Sequence, residues 1–148
     1  MASGLGNTNA AGLLAAMYQA VFTNLSTFLQ NSGSPATNLY VSLHTANPGA
    51  TGNQGTSEAA YTSYARVAVA RTTGGWSLTG ETISNVAAII FPAASGGSES
   101  ETYIGIGVSA TAHDSGVLLW FGQLTSPLAV SSGITPSIAI GALTITET

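Results

Sequence analysis

The chain has no cysteine and no lysine, and its 148 residues include only two arginines and six acidic residues. Without cysteine there is no disulfide framework and no thiolate metal site. Two cations and a net charge of −4 exclude a basic, phosphate-neutralising surface, so no nucleic-acid partner is expected. No apolar run approaches the roughly 20 residues that a membrane-crossing helix needs, so no membrane partner is expected either. The N-terminus, MASGLGNTNAAG, lacks a basic n-region, which argues against a secretory signal.

What fills the gap is apolar and neutral. Hydrophobic residues make up 45% of the chain and charged ones 5%, against roughly 25% charged in ordinary domains. Polarity comes instead from Ser, Thr, Asn and Gly. Soluble monomers usually keep both signs of charge mixed over their surface. A chain without them is expected to place much of its surface against other protein, and a homotrimer is the assembly anticipated.

The length suits one domain, over residues 9–148, preceded by a small-residue arm at 1–8 expected to be flexible or docked on a partner. Between Asn9 and Gln30, Leu13, Leu14, Met17, Val21, Phe22, Leu25, Phe28 and Leu29 recur at helical spacing. Asn9 or Thr8 can cap the start, and Asn31-Ser32-Gly33 followed by Pro35 can end it. The spacing predicts an amphipathic helix over 9–30, its stripe buried against the rest of the domain.

From residue 38 the pattern is β. Short runs rich in β-branched and aromatic residues alternate with Gly, Ser and Pro turns. Strands are predicted at Leu39–Leu43, Tyr64–Ala70, Trp76–Thr79, Thr82–Val86, Ala88–Phe91, Thr102–Ser109, Val117–Leu124, Ser137–Ile140 and Leu143–Thr146. Pro127 is expected to end the seventh. In Thr102–Ser109 one face carries Ile104, Ile106 and Val108. The other carries Tyr103, Gly105 and Gly107, where something bulky could approach closely. The expected fold is mainly β, a β-sandwich or jelly-roll-like barrel with one N-terminal α-helix.

The stretch LYVSLHTANPGATGNQGTSEAAYTSYARVAVAR, residues 39–71, holds the longest polar segment between two strands. Loops of this length in a compact domain are usually functional. Pro48, Gly49, Gly52 and Gly55 exclude a helix there. With hardly any apolar side chains, the Ala46–Ser63 loop is expected to be mobile alone and ordered at a protein–protein contact. LYVSLHTANPG, the Gly-rich loop and YARVAVAR resemble a family of tailed-bacteriophage structural proteins, small virion proteins of the head-decoration or tail-fibre kind. The similarity extends to Gly75–Trp76 and Gly141–Ile145. It implies a non-enzymatic virion protein, assembled in the host cytoplasm, and no catalytic residues or cofactors. The favoured role is a capsid decoration (cement) subunit bound to the major capsid protein or other virion proteins. The alternative is a tail-fibre or spike adhesin that binds a host-surface receptor.

Candidate partner-contact residues are Asn47, Pro48, Asn53, Gln54, Glu58, Tyr61, Arg66, Arg71 and Trp76. Either arginine could anchor a partner or pair with Glu58 or Glu81 inside the chain. Trp76, after a Gly pair, is the better candidate for an exposed ring. His44, at a strand end, reads as a satisfied structural residue. His113-Asp114-Ser115 has triad letters, but adjacent residues on one turn cannot take triad geometry. Glu99 and Glu101 could offer oxygens to Ca²⁺, but without an Asp-rich loop they read as a solvated loop and no metal is expected.

Overall fold

A computed structural model describes residues 3–5, 36–79 and 82–146. The helix expected over 9–30 lies outside these residues. Ten strands follow in chain order: β1 (Ser3–Leu5), β2 (Asn38–His44), β3 (Val67–Ala70), β4 (Trp76–Thr79), β5 (Thr82–Asn85), β6 (Ile89–Ile90), β7 (Ser98–Gly107), β8 (Leu118–Ser131), β9 (Ser137–Ile138) and β10 (Thr144–Thr146). They form a five-stranded sheet in the order β1-β8-β7-β2-β3, a three-stranded sheet β10-β5-β4 and a pair β6-β9. Every pairing is antiparallel. The fold is therefore mainly β, and no helix occurs among the described residues.

The barrel alternative needs correction. The large sheet stays open, with β1 and β3 as its two edges. The arm expected at 1–8 is also not wholly free, because Ser3–Leu5 pairs with Trp120–Gly122 of β8.

One core joins the three sheets. Val41, Leu43, Ile104, Ile106 and Trp120 come from the large sheet, Trp76 from β4, and Ile89 and Ile138 from the small pair, with Phe91 and Leu143 between them. Ile104 and Ile106 face inward, as their alternation requires. The opposite face of β7 carries the glycines, and there the sequence expectation has a specific cause. A Cβ on Gly107 would sit 2.1 Å from the Gln54 side-chain amide carbon, and one on Gly105 would sit 2.5 Å from His44 Nε2. The two glycines are the seats of those two side chains.

β8 runs through Pro127 to Ser131 rather than stopping before it. Glu101 pairs with Leu128 and Tyr103 with Gln123, so four residues of β8 bulge out opposite Thr102 alone. Proline is tolerated in a sheet at such a bulge, where the ladder needs no N–H. β7 likewise begins at Ser98, so Glu99 and Glu101 belong to a strand rather than to the solvated loop expected over Ala93–Glu101.

Candidate functional site

Arg66 lies just before β3, and all five of its guanidinium N–H groups find acceptors. Nε and Nη2 bind Glu58 Oε1 and Oε2 at 2.7 and 2.9 Å. Nη1 donates to Asp114 Oδ1 at 2.8 Å and to the Ser109 carbonyl at 3.1 Å, and Nη2 also reaches the Asp114 carbonyl at 3.2 Å. The Arg66 and Glu58 side chains are fully buried. Burial alone would lower the Arg66 pKa, but its bonds to Glu58 and Asp114 outweigh that and raise it.

This ion pair fastens the long loop to the turn at 109–116. Glu58 also accepts from Tyr64 Oη at 2.9 Å and from the His113 backbone N–H at 2.7 Å. Burial is the main reason the Tyr64 phenol is raised well above its usual range. Asp114 accepts from the Ser109 hydroxyl and from Gly116 N–H, and the Ser109 bond is the largest influence holding its carboxyl below the usual range.

A second fastening is neutral. Gln54 is buried, donates to the Tyr40 carbonyl at 3.3 Å and accepts from Ser109 N–H at 2.9 Å. Its own N–H donates to the Gly116 carbonyl at 2.9 Å. His44 is a third. Its ring nitrogens lie 2.9 Å from Ser42 Oγ and 2.9 Å from the Thr56 carbonyl. The carbonyl can only accept, so Nδ1 carries the proton and Nε2 accepts from Ser42. Burial holds the His44 pKa below its usual value. The structural reading of His44 fits this geometry.

Residues 57–59 bridge to the end of β2, with Thr45 N–H on the Ser57 carbonyl at 2.8 Å and Ala59 N–H on the Leu43 carbonyl at 2.9 Å. Farther on, Glu99 Oε1 accepts from Ala60 and Tyr61 N–H at 2.9 and 2.7 Å. Tyr61 is buried, its hydroxyl donates to the Pro92 carbonyl at 3.0 Å, and burial pushes its pKa up to about 12. Ser57, Ser63 and His113 all take positive φ within this cluster, a conformation that side chains other than glycine adopt only where surroundings enforce it.

The loop is thus anchored by its own buried polar side chains, contrary to the expectation that it could not be ordered by its own packing. Buried polar side chains supply the ordering contacts that its few apolar ones cannot. Of the nine candidate contact residues, Asn47 is exposed, Asn53 and Arg71 are half-buried, and the other six are buried. Gln54, Glu58, Tyr61 and Arg66 point into the fold, with their side chains bonded inside the domain. Trp76 is buried too, not an exposed ring. Asn47 folds back, its Oδ1 accepting from Gly49 N–H at 2.9 Å.

Above this buried network lies a neutral rim. Thr45, Asn47, Thr51, Ser57, Thr111 and Ser115 are exposed there. His113 joins them with 53% of its side chain exposed, its ring 5.9 Å from that of Tyr64. The site is a platform fastened from beneath by these bonds, which shows hydroxyl, amide and imidazole groups and keeps its charges largely underneath. The sequence offers Asp114 only as part of a turn and does not mark Ser109. The available signal was scarcity, since two arginines in a hydrophobic chain are placed where they gain most. Among the described residues no group of three His, Asp or Glu side chains is placed to hold a metal ion. Among the described residues no helix is long and apolar enough to cross a membrane.

Residues 15–146 match a protein family described as podophage GP4 fiber I protein gp80. The chain belongs to that family. The match spans the long loop, the Arg66 cluster and nearly all of the β region. The protein is therefore a structural protein of the phage virion, and the virion is where it resides. No curated protein matches the chain.

Proposed function

We propose that the protein is a fibre component of the virion that contacts the host surface through the neutral platform over Arg66, without enzymatic activity. The family match over residues 15–146 carries this reading, since the family is described by a fibre and not by a head protein. The platform supports it physically. Hydroxyl and amide groups held on a rigid frame recognise the polar groups of a glycan or protein receptor with little ordering cost on binding. Capsid decoration, favoured by the sequence alone, has no feature of the site in its support. A homotrimer is the proposed assembly, in which charge-poor surface of one subunit meets another copy.

Immunogold labelling of intact virions with an antibody to this protein tests the reading. Label at the tail, at a few copies per particle, is the expected result. Dense label over the head shell overturns it in favour of decoration. Purified protein should also compete with virions for adsorption to host cells, and Asn47→Ala and His113→Ala should weaken that competition.

A further inference from the structure

A groove of about 470 Å³ opens between the two larger sheets. Leu39, Ile106, Leu119 and Trp120 form its wall on the five-stranded sheet, and Trp76, Leu78, Ile83 and Ile145 form it on the three-stranded sheet. Leu78 at its mouth is 71% exposed. An apolar cleft of this kind between two layers of one domain needs something to cover it.

The chain path says what. The connection 6–35 leaves β1 at Leu5, whose backbone pairs with Trp120 of the groove wall. It returns at residues 36–39, where the Thr37 carbonyl accepts from Arg71 N–H at 2.9 Å, beside Leu39 and Arg71 at the far end of the same wall. Leu5, Trp120, Ile106 and Val41 share one cross-strand row, so the two ends stand three strand spacings apart, about 14 Å. A helix over 9–30 would be about 33 Å long. The eight residues 6–8 and 31–35 can span at most about 26 Å between them, enough reach for such a helix to lie along the groove.

The composition of the connection agrees. No Asp, Glu, Lys or Arg occurs before Glu58, so the segment carries no charge to desolvate. Leu14, Met17, Val21 and Leu25 fall on one side of the expected helix, and Gln19, Thr23 and Ser26 on the other.

We propose that segment 9–30 of the same chain seats its Leu14–Met17–Val21–Leu25 stripe in this groove. The groove is then an internal receptor for the N-terminal segment, independent of what the platform binds.

The chain supplies its own probes. Its only two tryptophans, Trp76 and Trp120, both line the groove, and it has no cysteine to interfere with introduced ones. In the full-length protein, Val21→Asp should raise acrylamide quenching of tryptophan fluorescence several-fold and shift emission to the red, while Thr23→Asp should leave both unchanged. Equal responses from the two variants, or none from Val21→Asp, overturn the proposal. Cross-linking covers the case in which Val21→Asp fails to fold. A short bismaleimide should join Val21→Cys to Leu78→Cys within one chain, several-fold more efficiently than Thr23→Cys to Leu78→Cys. A product of twice the chain mass would mean that a neighbouring copy's segment fills the groove. Absence of any cross-linked product would mean that the groove takes neither. Both results overturn docking within the chain.

Discussion

Glu58 and Glu101 are both buried carboxyl groups in a chain with only six acids, yet they are handled in opposite ways. Glu58 meets Arg66 through two bonds and also accepts from Tyr64 and His113. Glu101 is fully buried on β7, and neither of its carboxyl oxygens has a hydrogen-bond partner within bonding distance among the described residues. Its pKa is raised to about 8, chiefly by burial and then by the neighbouring Glu99. A buried charge is tolerated when paired, and is otherwise removed by protonation. One carboxyl therefore fastens the platform as an ion. The other sits in the core as a neutral acid. The contrast locates the electrostatic design of the molecule at the loop and not along the strand.

The largest effect is expected from breaking the paired side. Arg66→Ala leaves Glu58 buried without its cation and should cost about 3–5 kcal/mol in chemical denaturation. It should also release the loop. In the native protein the amides of Thr45, Gln54 and Ala59 should exchange slowly with the chain free in solution, because each is hydrogen-bonded within the domain. In the variant they should exchange fast. Fast exchange of these amides in the unaltered protein would show that the network does not order the loop.

Glu101→Gln sharpens the unpaired side. The folded pKa of about 8 lies above the ordinary carboxylate value of 4.5. The contribution of Glu101 to stability is therefore complete below pH 4.5 and is lost as pH rises through about 8, by up to about 1.4 kcal/mol per pH unit. His44 works in the other sense: its lowered pKa favours the fold above the ordinary imidazole value and less so as pH falls. Denaturation midpoints of the two proteins compared from pH 5 to 9 cancel that contribution. The variant should gain on the native protein steadily with pH and hold its advantage beyond pH 8. A constant difference across the range would show that Glu101 is ionised throughout.

This contrast also measures how far the sequence could be read. Strand positions were legible because alternation and β-branched runs report burial directly, and Trp76–Thr79 was bounded correctly from that signal alone. The Glu58–Arg66 pair was among the alternatives because the chain offers so few partners for a guanidinium. Burial of Glu101 was not legible, since Ala93–Glu101 reads as a polar loop by composition. It is a strand because β8 continues past Pro127 to pair with it, a long-range fact. Asn85 was missed for the same reason. Its amide bonds the Ala87 and Ala139 carbonyls and Leu143 N–H, partners that only the fold brings together.

Glu99→Gln tests whether the two neighbouring carboxyls are coupled. The amide oxygen can still accept from Ala60 and Tyr61 N–H, so only the charge-assisted part of those bonds is lost, about 1 kcal/mol. Removing the Glu99 charge also removes a cause of the raised Glu101 pKa. The variant should show a shallower pH dependence than the native protein, intermediate between it and Glu101→Gln. An unchanged pH dependence would mean that burial alone sets the Glu101 proton.

The smallest effect belongs to the exposed end of the paired cluster. Ser109→Ala deletes the hydroxyl that donates to Asp114, the largest single influence lowering that carboxyl's pKa, and leaves the bonds from Arg66 and Gly116 in place. Asp114 keeps 38% of its side chain in solvent, so water replaces the lost donor at little cost. Stability should change by no more than about 0.5 kcal/mol, within the usual range for surface substitutions. The Asp114 carboxyl, followed by NMR, should nonetheless titrate closer to the ordinary carboxylate value. Because its folded pKa is lowered, its contribution to stability is present above the ordinary value and is lost as pH falls below it, so acid unfolding of the variant should start from a slightly smaller reserve. A shift in the Asp114 titration without a change in the exchange of loop amides would place Ser109 at the edge of the network. Release of the loop by this substitution would mean instead that the Arg66–Asp114 arm holds the platform as firmly as the buried Arg66–Glu58 pair.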